Sequence, residues 1–306
     1  MTKVAVIQAA SMLFDTPATM LKLADLAAQA AAQGAQLAVF PEAFIGGYPK
    51  GMDFGTRVGS RTPQGREWFA RYHDNAIDVP GQECSAIGEI AASHAMQLVV
   101  GVIERDAGTL YCTVLFFAAD GALTAKHRKL MPTAMERLIW GQGDGSTLPV
   151  LDTDIGRVGA AICWENYMPQ LRMALYGQNI ELYCAPTVDD RELWSATMRH
   201  IAAEGRCFVL SAVQFSTRAD APADCPIDAA DDEILIRGGS VICGPLGNVL
   251  AGPIYDKEAV LVADIDLRDI TRGKFDFDVV GHYARPDIFA LHVDTSVKAP
   301  VKFGSD

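Results

Sequence analysis

The chain has 306 residues, 50% of them hydrophobic and 21% charged. That balance excludes wholesale disorder, and the length lets a large core form without disulfides or a structural metal. Thirty-eight acidic residues against 26 basic ones give a formal charge of −12, a field that repels phosphate backbones and anionic lipid headgroups and so argues against nucleic-acid and membrane partners.

The first apolar run, Val4 to Ala10, is brief and lacks a clear cleavage site, so it reads as a strand, Lys3–Ala9, rather than a signal peptide. Thr16-Pro17 then supplies an N-cap and first turn for a helix that runs to Gly34, with Leu23, Leu26, Ala27, Ala30 and Ala31 as its apolar stripe. A strand over Leu37–Pro41 follows, and a second helix over about Cys84–Ala95. Strands are predicted at Leu98–Glu104, Leu110–Ala118, Leu123–Arg128 and Arg157–Cys163. The longest nearly apolar stretch, Leu110 to Ala119, is far short of the roughly 20 residues of a membrane span. A cytoplasmic protein is therefore expected.

Further along, a helix over Pro169–Tyr176, a strand over Glu181–Ala185 and a helix over Arg191–Glu204 precede strands at Cys207–Phe215, Ser240–Cys243, Val249–Ala251 and Ala259–Ile265. Alternating strands and helices make this an α/β chain. Several strands lack polar alternation, as expected of sheets with helices on one face and a second sheet on the other. Two similar hairpin turns, Ala119-Asp120-Gly121-Ala122 and Gly244-Pro245-Leu246-Gly247-Asn248, hint at an internal structural duplication. No Pro/Ser-rich linker divides the chain, so one domain over residues 1–293 is expected, with a loose tail over 294–306. Arg218–Glu233, rich in Ala, Pro and Asp, reads as a solvated surface loop. The seven cysteines are scattered, with no Cys-x-x-Cys pair, and most should be small buried hydrophobes.

Three strand ends carry a reactive residue: Glu42 after Leu37 to Pro41, Lys129 after Ala125 to Arg128, and Cys163 after Val158 to Ile162. Ligand sites of α/β sheets are usually built at such ends. Each has a commonplace reading too: a core cysteine, a solvated carboxylate, a lysine on a charged face. Together they supply a thiol, a cation able to lower its pKa and a carboxylate able to move protons, a set suited to acyl transfer at a carbon–nitrogen bond.

The words around these residues sharpen the reading. Phe40-Pro41-Glu42-Ala43-Phe44-Ile45-Gly46-Gly47-Tyr48-Pro49, His127-Arg128-Lys129-Leu130-Met131-Pro132-Thr133 and Cys163-Trp164-Glu165-Asn166 resemble the nitrilase superfamily, and within it the nitrilase branch. The likeness continues through Trp140-Gly141-Gln142-Gly143-Asp144-Gly145, Tyr183-Cys184-Ala185-Pro186-Thr187 and Gly281-His282-Tyr283-Ala284-Arg285-Pro286-Asp287. It covers Val4 to about Val293 in the family's order.

The resemblance implies a four-layer α-β-β-α sandwich whose subunits pair, so a homodimer or higher homo-oligomer is expected. It makes Glu42, Lys129 and Cys163 a catalytic triad acting on a small-molecule nitrile, with no cofactor. Lys129 and the backbone N–H of Trp164 would form the oxyanion hole. Glu136 matches a second glutamate near the lysine, while a first-turn helix carboxylate is its ordinary alternative. Glu165 is expected to fix the nucleophile's loop by hydrogen bonds, and His127 to act as scaffold. Tyr48, Trp164, Pro186, Thr187 and Val188 are the expected substrate walls, favouring aromatic or arylalkyl nitriles. An amidase or carbamoyl hydrolase with the same triad, or a cyanide or aliphatic nitrile hydrolase, is the alternative. No His/Cys/Asp grouping has metal-ligand spacing, so no metal is expected. Nitrilases of this branch often carry a longer C-terminal extension that helps build spirals; little follows Val293 here.

Overall fold

The computed structural model describes residues 1–301 and 304. Strand β1 (Thr2–Gln8) leads into helix α1 (Thr16–Ala32) and strand β2 (Leu37–Val39). A small hairpin, β3 (Thr56–Arg57) and β4 (Ser60–Arg61), precedes α2 (Pro63–Asp74), β5 (Ile77–Asp78) and α3 (Gln82–His94). Long strands β6 (Gln97–Asp106) and β7 (Thr109–Phe117) are followed by β8 (Leu123–Arg128). The second half runs β9 (Val150–Thr153), β10 (Gly156–Ala160), α4 (Pro169–Gly177), β11 (Leu182–Cys184), α5 (Glu192–Gly205), β12 (Phe208–Ser211) and β13 (Phe215–Thr217). Strands β14 (Ile234–Cys243), β15 (Val249–Tyr255) and β16 (Ala259–Ile265) and helix α6 (Arg268–Lys274) complete it.

One sheet has the order β16-β1-β2-β6-β7-β8, with β5 also on β6; the other has β13-β14-β12-β11-β10-β9, with β15 also on β14. Strands β1, β2 and β6 pair in parallel, as do β10, β11 and β12. In each sheet an antiparallel strand flanks the first of the three, and two more follow the last. The two halves therefore repeat one pattern, β1-α1-β2-α3-β6-β7-β8 against β10-α4-β11-α5-β12-β14-β15. The resemblance of the two hairpin turns, between β7 and β8 and between β14 and β15, is the local trace of that repeat.

Side-chain alternation builds the layers. In β1, Val4 and Val6 face the other sheet, meeting Val158, Ala160, Leu182 and Leu210. Ala5 and Ile7 point the other way, into a layer with Leu23, Leu26, Ala27 and Ala30 of α1 and Ile87 and Ala91 of α3. Tyr183 of β11 likewise faces Leu171 and Leu175 of α4 and Trp194, Met198 and Ile201 of α5. The result is an α-β-β-α sandwich.

Several boundaries differ from expectation for local reasons. The N-cap of α1 is Asp15, whose carboxylate accepts the Ala18 N–H at 2.9 Å, because the Thr16 hydroxyl donates instead to the Asn75 carbonyl. The expected strand Cys207–Phe215 breaks after Ser211, where Val213 donates its N–H to the Ser240 hydroxyl and Gln214 turns its side chain inward. Arg218–Glu233 is less solvated than its composition implies. Arg218 is buried, and its guanidinium donates to the carbonyls of Ala221, Pro222, Ala223, Cys225 and Ile227, tying the loop around one charge. The described part of the tail lies exposed, with the Lys298 N–H on Asp144 at 2.8 Å; residues 302, 303, 305 and 306 of the expected tail lie outside the described residues.

Candidate active site

Glu42, Lys129 and Cys163 leave β2, β8 and β10 at the same end of the sandwich and meet between the sheets. All three are buried. Lys129 donates from Nζ to Oε1 of Glu42 at 2.6 Å and to Oε2 of Glu136 at 2.7 Å. The ammonium also lies 5.5 Å from the centre of the Trp140 ring, a favourable cation–π placement. Tyr48 donates its hydroxyl to the other Glu136 oxygen at 2.8 Å, and Thr133 adds its backbone N–H to Oε2 at 2.6 Å. Glu136 is thus a second carboxylate partner of the lysine beside Glu42.

The charges explain one another. Burial drives the Glu42 carboxyl above the ordinary 4.5, against the charge of Lys129 and hydrogen bonds from Lys129 and Cys163. Its Oε2 has no hydrogen-bond partner among the described residues, which leaves one lone-pair face open for a proton. Burial alone would lower the Lys129 ammonium, but the charges of Glu42, Cys163, Cys112 and Glu136 together hold it well above 10.5.

Lys129 pulls the Cys163 thiol down, as expected from the sequence, but not far enough to bring it below its ordinary value. Burial and the Glu42 charge push the thiol well above the usual cysteine value, outweighing Lys129, whose ammonium is shared between two carboxylates. The resting sulfur is a neutral thiol that must hand its proton to a base.

Cys163 sits at a sharp strand-to-helix turn with φ +52°, a left-handed conformation unfavourable to a side-chain-bearing residue. Hydrogen bonds hold the strain. The Cys163 N–H donates to the Pro186 carbonyl at 2.9 Å, and the Asn166 amide donates to the carbonyls of Cys163 and Ala161. Glu165 accepts the N–H groups of Ile162 at 2.7 Å and Leu130 at 2.5 Å, joining the exits of β10 and β8. His127 lies beneath: Nε2 faces Glu165 at 2.9 Å and Nδ1 faces the Thr147 carbonyl at 2.6 Å. Both partners are acceptors, so the ring carries both protons. Burial, the largest single influence, pulls the imidazole down, but the charge of Glu165 and the hydrogen bonds to Glu165 and the Thr147 carbonyl together offset it, so its pKa is raised; burial likewise opposes ionisation of Glu165, whose pKa His127 and the two N–H donors lower.

Of the expected substrate walls, Tyr48 lines a cavity of about 160 Å³ with Met52, Phe54, Met135, Leu138 and Trp140. Pro186, Thr187 and Val188 do not line it. Pro186 receives the Cys163 N–H, and Thr187 donates its hydroxyl to Sγ of Cys163 at 3.1 Å. Val188 belongs to the core between the second sheet and its helices. Trp164 does not line the cavity either; its side chain is 42% exposed, with the indole N–H on Asp189 at 2.8 Å and the Arg191 guanidinium 4.9 Å over its ring.

Four residues of the site went unread in sequence. The Cys112 thiol touches Glu42 Oε1 at 3.5 Å, and the Gln214 amide donates to the Glu42 carbonyl at 2.8 Å. Asp189 and Arg191 pair with each other around Trp164. Cys112 and Gln214 sit inside apolar strand-like runs, and nothing local separates them from core residues.

Residues 3–275 match the family model described as carbon-nitrogen hydrolase. The chain belongs to the carbon-nitrogen hydrolase family. Among curated relatives of this hydrolase, an aliphatic nitrilase of Sinorhizobium fredii is 58% identical, across 98% of this chain and 97% of that protein. A bifunctional nitrilase/nitrile hydratase of Nicotiana tabacum is 56% identical over 98% of this chain and 88% of its own length. Nitrilase 2 of Arabidopsis thaliana is 53% identical over 97% and 90%. These relatives place the hydrolase on the nitrilase branch. Among solved structures, an amidase of the nitrilase superfamily from Nesterenkonia superposes with a TM-score of 0.69 at 19% identity, covering 89% of this chain and 93% of that one, a likeness of fold. No helix among the described residues is long and apolar enough to cross a membrane.

Proposed function

We propose that this hydrolase converts an organic nitrile to its carboxylic acid and ammonia, with Cys163 as nucleophile, Glu42 as general base and Lys129 as proton donor and oxyanion ligand. The observation that carries the reading is a buried ammonium braced by Glu42 and Glu136, while one Glu42 oxygen stays open beside a thiol. A nitrile carbon is a weak electrophile, and addition places negative charge on nitrogen, so attack needs a base for the thiol and an acid aimed at nitrogen.

Glu42 takes the Cys163 proton as sulfur adds to carbon, and nitrogen gains a proton through Lys129, giving a thioimidate. Water activated by Glu42 adds to form a tetrahedral species. Loss of ammonia leaves a thioester, which a second water opens to the acid. The Lys129 ammonium and the Trp164 N–H are the donors for the charged intermediates. The aromatic groups Tyr48, Phe54 and Trp140 that line the cavity support an aryl or arylalkyl substrate. The curated names of two relatives support nitriles over amides.

A panel of phenylacetonitrile, benzonitrile, propionitrile and the corresponding amides, with ammonia and product measured, tests this. Nitriles should be turned over and arylalkyl members preferred; faster amide hydrolysis would end the nitrile reading. Cys163→Ala should abolish ammonia release and leave the circular-dichroism spectrum unchanged. The protein is proposed to work as a homodimer, supported by the exposed apolar side chains Phe275, Tyr283, Ile288, Phe289 and Val297 toward the C-terminus. Light scattering checks the mass. Seven free cysteines support a reducing, cytoplasmic setting.

A further inference from the structure

The two halves of the sandwich place their functional side chains alike. Glu42 is the third residue after Val39, the last of β2, and Thr187 is the third after Cys184, the last of β11. Each follows a proline, Pro41 or Pro186. In each case the residue before that proline continues the parallel ladder: Phe40 donates its N–H to Val99 at 2.8 Å, and Ala185 donates its N–H to Leu210 at 2.9 Å. Thr187 thus occupies in the second sheet the position of the base in the first.

Thr187 is fully buried and held on every side. Its N–H donates to the Ala212 carbonyl at 2.9 Å, and its carbonyl accepts from Gln214 at 3.3 Å. The hydroxyl oxygen receives the Asp189 N–H at 2.9 Å and stands 3.1 Å from Sγ of Cys163. A hydroxyl has one proton to give. With Asp189 occupying one acceptor direction, that proton points at sulfur, and once sulfur is deprotonated the bond can run only from oxygen to sulfur. Glu42 and Glu136 disfavour negative charge there, and Lys129 favours it; Tyr48 and Arg191 are the other charged or titratable groups coupled to the sulfur.

We infer that the Thr187 hydroxyl is a catalytic hydrogen-bond donor to the Cys163 sulfur, stabilising it both as nucleophile and as leaving group, and that it thereby sets how much product leaves as amide. The leaving-group half rests on the nitrile reading; the donor half does not.

The tetrahedral species carries sulfur, a hydroxyl and an amino group on one carbon. If the amino group leaves, the C–N bond breaks, nitrogen takes a proton and departs as ammonia, and the hydroxyl proton passes to Glu42 as the thioester forms. If sulfur leaves, the C–S bond breaks and its electron pair returns to Sγ, which Thr187 stabilises. The hydroxyl proton again passes to Glu42, and the amide departs. The second route needs no other reactant and makes amide from nitrile and one water.

Thr187→Val keeps the side-chain shape without the hydroxyl, and Thr187→Ser restores the donor. Two measurements on the full chain test the role. One is the pH dependence of Cys163 alkylation by iodoacetamide, followed on its peptide by mass spectrometry. The other is the amide-to-acid ratio formed from phenylacetonitrile. Valine should raise the alkylation midpoint by about one pH unit and cut the ratio about tenfold, the scale of one hydrogen bond to an ionised group; serine should reverse both. An unmoved midpoint in a folded valine protein overturns the donor. An unchanged or larger amide share, or a wild-type enzyme that releases no amide, overturns the leaving-group half. If the valine protein does not fold, Thr187→Ala is judged by the same two readings. Alkylation requires no nitrile, so a chain inert to every nitrile would remove the proposed function while the midpoint still decides the donor.

Discussion

Burial strips Glu42 of water, while its donors from Lys129 and Cys112 both converge on one oxygen. The pKa is accordingly raised, with desolvation the largest cause and Lys129 opposing it. In the proposed role of general base Glu42 works only when ionised, so activity should be lost as pH falls through that raised value. The acid limb of kcat/KM is expected above pH 4.5, and Glu42→Gln should cost about 10²–10⁴ in turnover. A limb at or under 4.5 would mean that the lysine, not burial, governs the carboxyl. Lys129 is held well above 10.5, so an alkaline limb below that belongs to another group. Glu42, Lys129 and Cys163 stood out in sequence because each ends a recognisable strand inside a motif that resembles the nitrilase superfamily. Thr187 was read as a pocket wall because a threonine after proline carries no mark of what its hydroxyl faces.

Elements position these residues through close backbone contacts that leave little room. Gly101, in the middle of β6, lies under the Glu42 turn: a Cβ there would stand 2.1 Å from the Pro41 carbonyl and 2.8 Å from the Glu42 Cα. Those neighbours are backbone and cannot rotate away. Gly101→Ala should therefore displace Glu42, costing about 1–3 kcal/mol of stability by overpacking. It should also lower kcat about 10²-fold through misplacement of the base. A thermal melt and a turnover assay on the same sample separate the two, and wild-type kcat in the alanine protein would show that the turn yields without moving the carboxylate. Strands β8 and β16 were legible to the residue because turn-formers or polar residues bound them, whereas α2 was missed although Thr62 and Pro63 announce it. Its apolar face is too sparse: only Gly65 and Tyr72 are buried. The left-handed turns at Ala43 and Cys163 left no trace either, since neither residue is glycine.

At the scale of the molecule, two similar half-sheets must stay in register for a site assembled from both. Hairpin resemblance hinted at the repeat, but the pairing of the sheets depends on contacts between residues far apart in sequence, which no local pattern encodes. One such tie is the buried pair of His127, from the first sheet, and Glu165, after β10 of the second. The His127 pKa is raised from 6.5, so its contribution is complete below 6.5 and fades as pH climbs through the higher folded value. The Glu165 pKa is lowered from 4.5, so its contribution is complete above 4.5 and fades as pH drops through the lower folded value. Both hold in full between those two ordinary values. The melting temperature of wild type relative to the neutral double variant His127→Gln/Glu165→Gln should therefore be most favourable from about pH 4.5 to 6.5 and narrow on either side. Melts in buffers from pH 4 to 10 measure it directly. A difference that stays constant across that range would mean that shape, not charge, joins the sheets at this point.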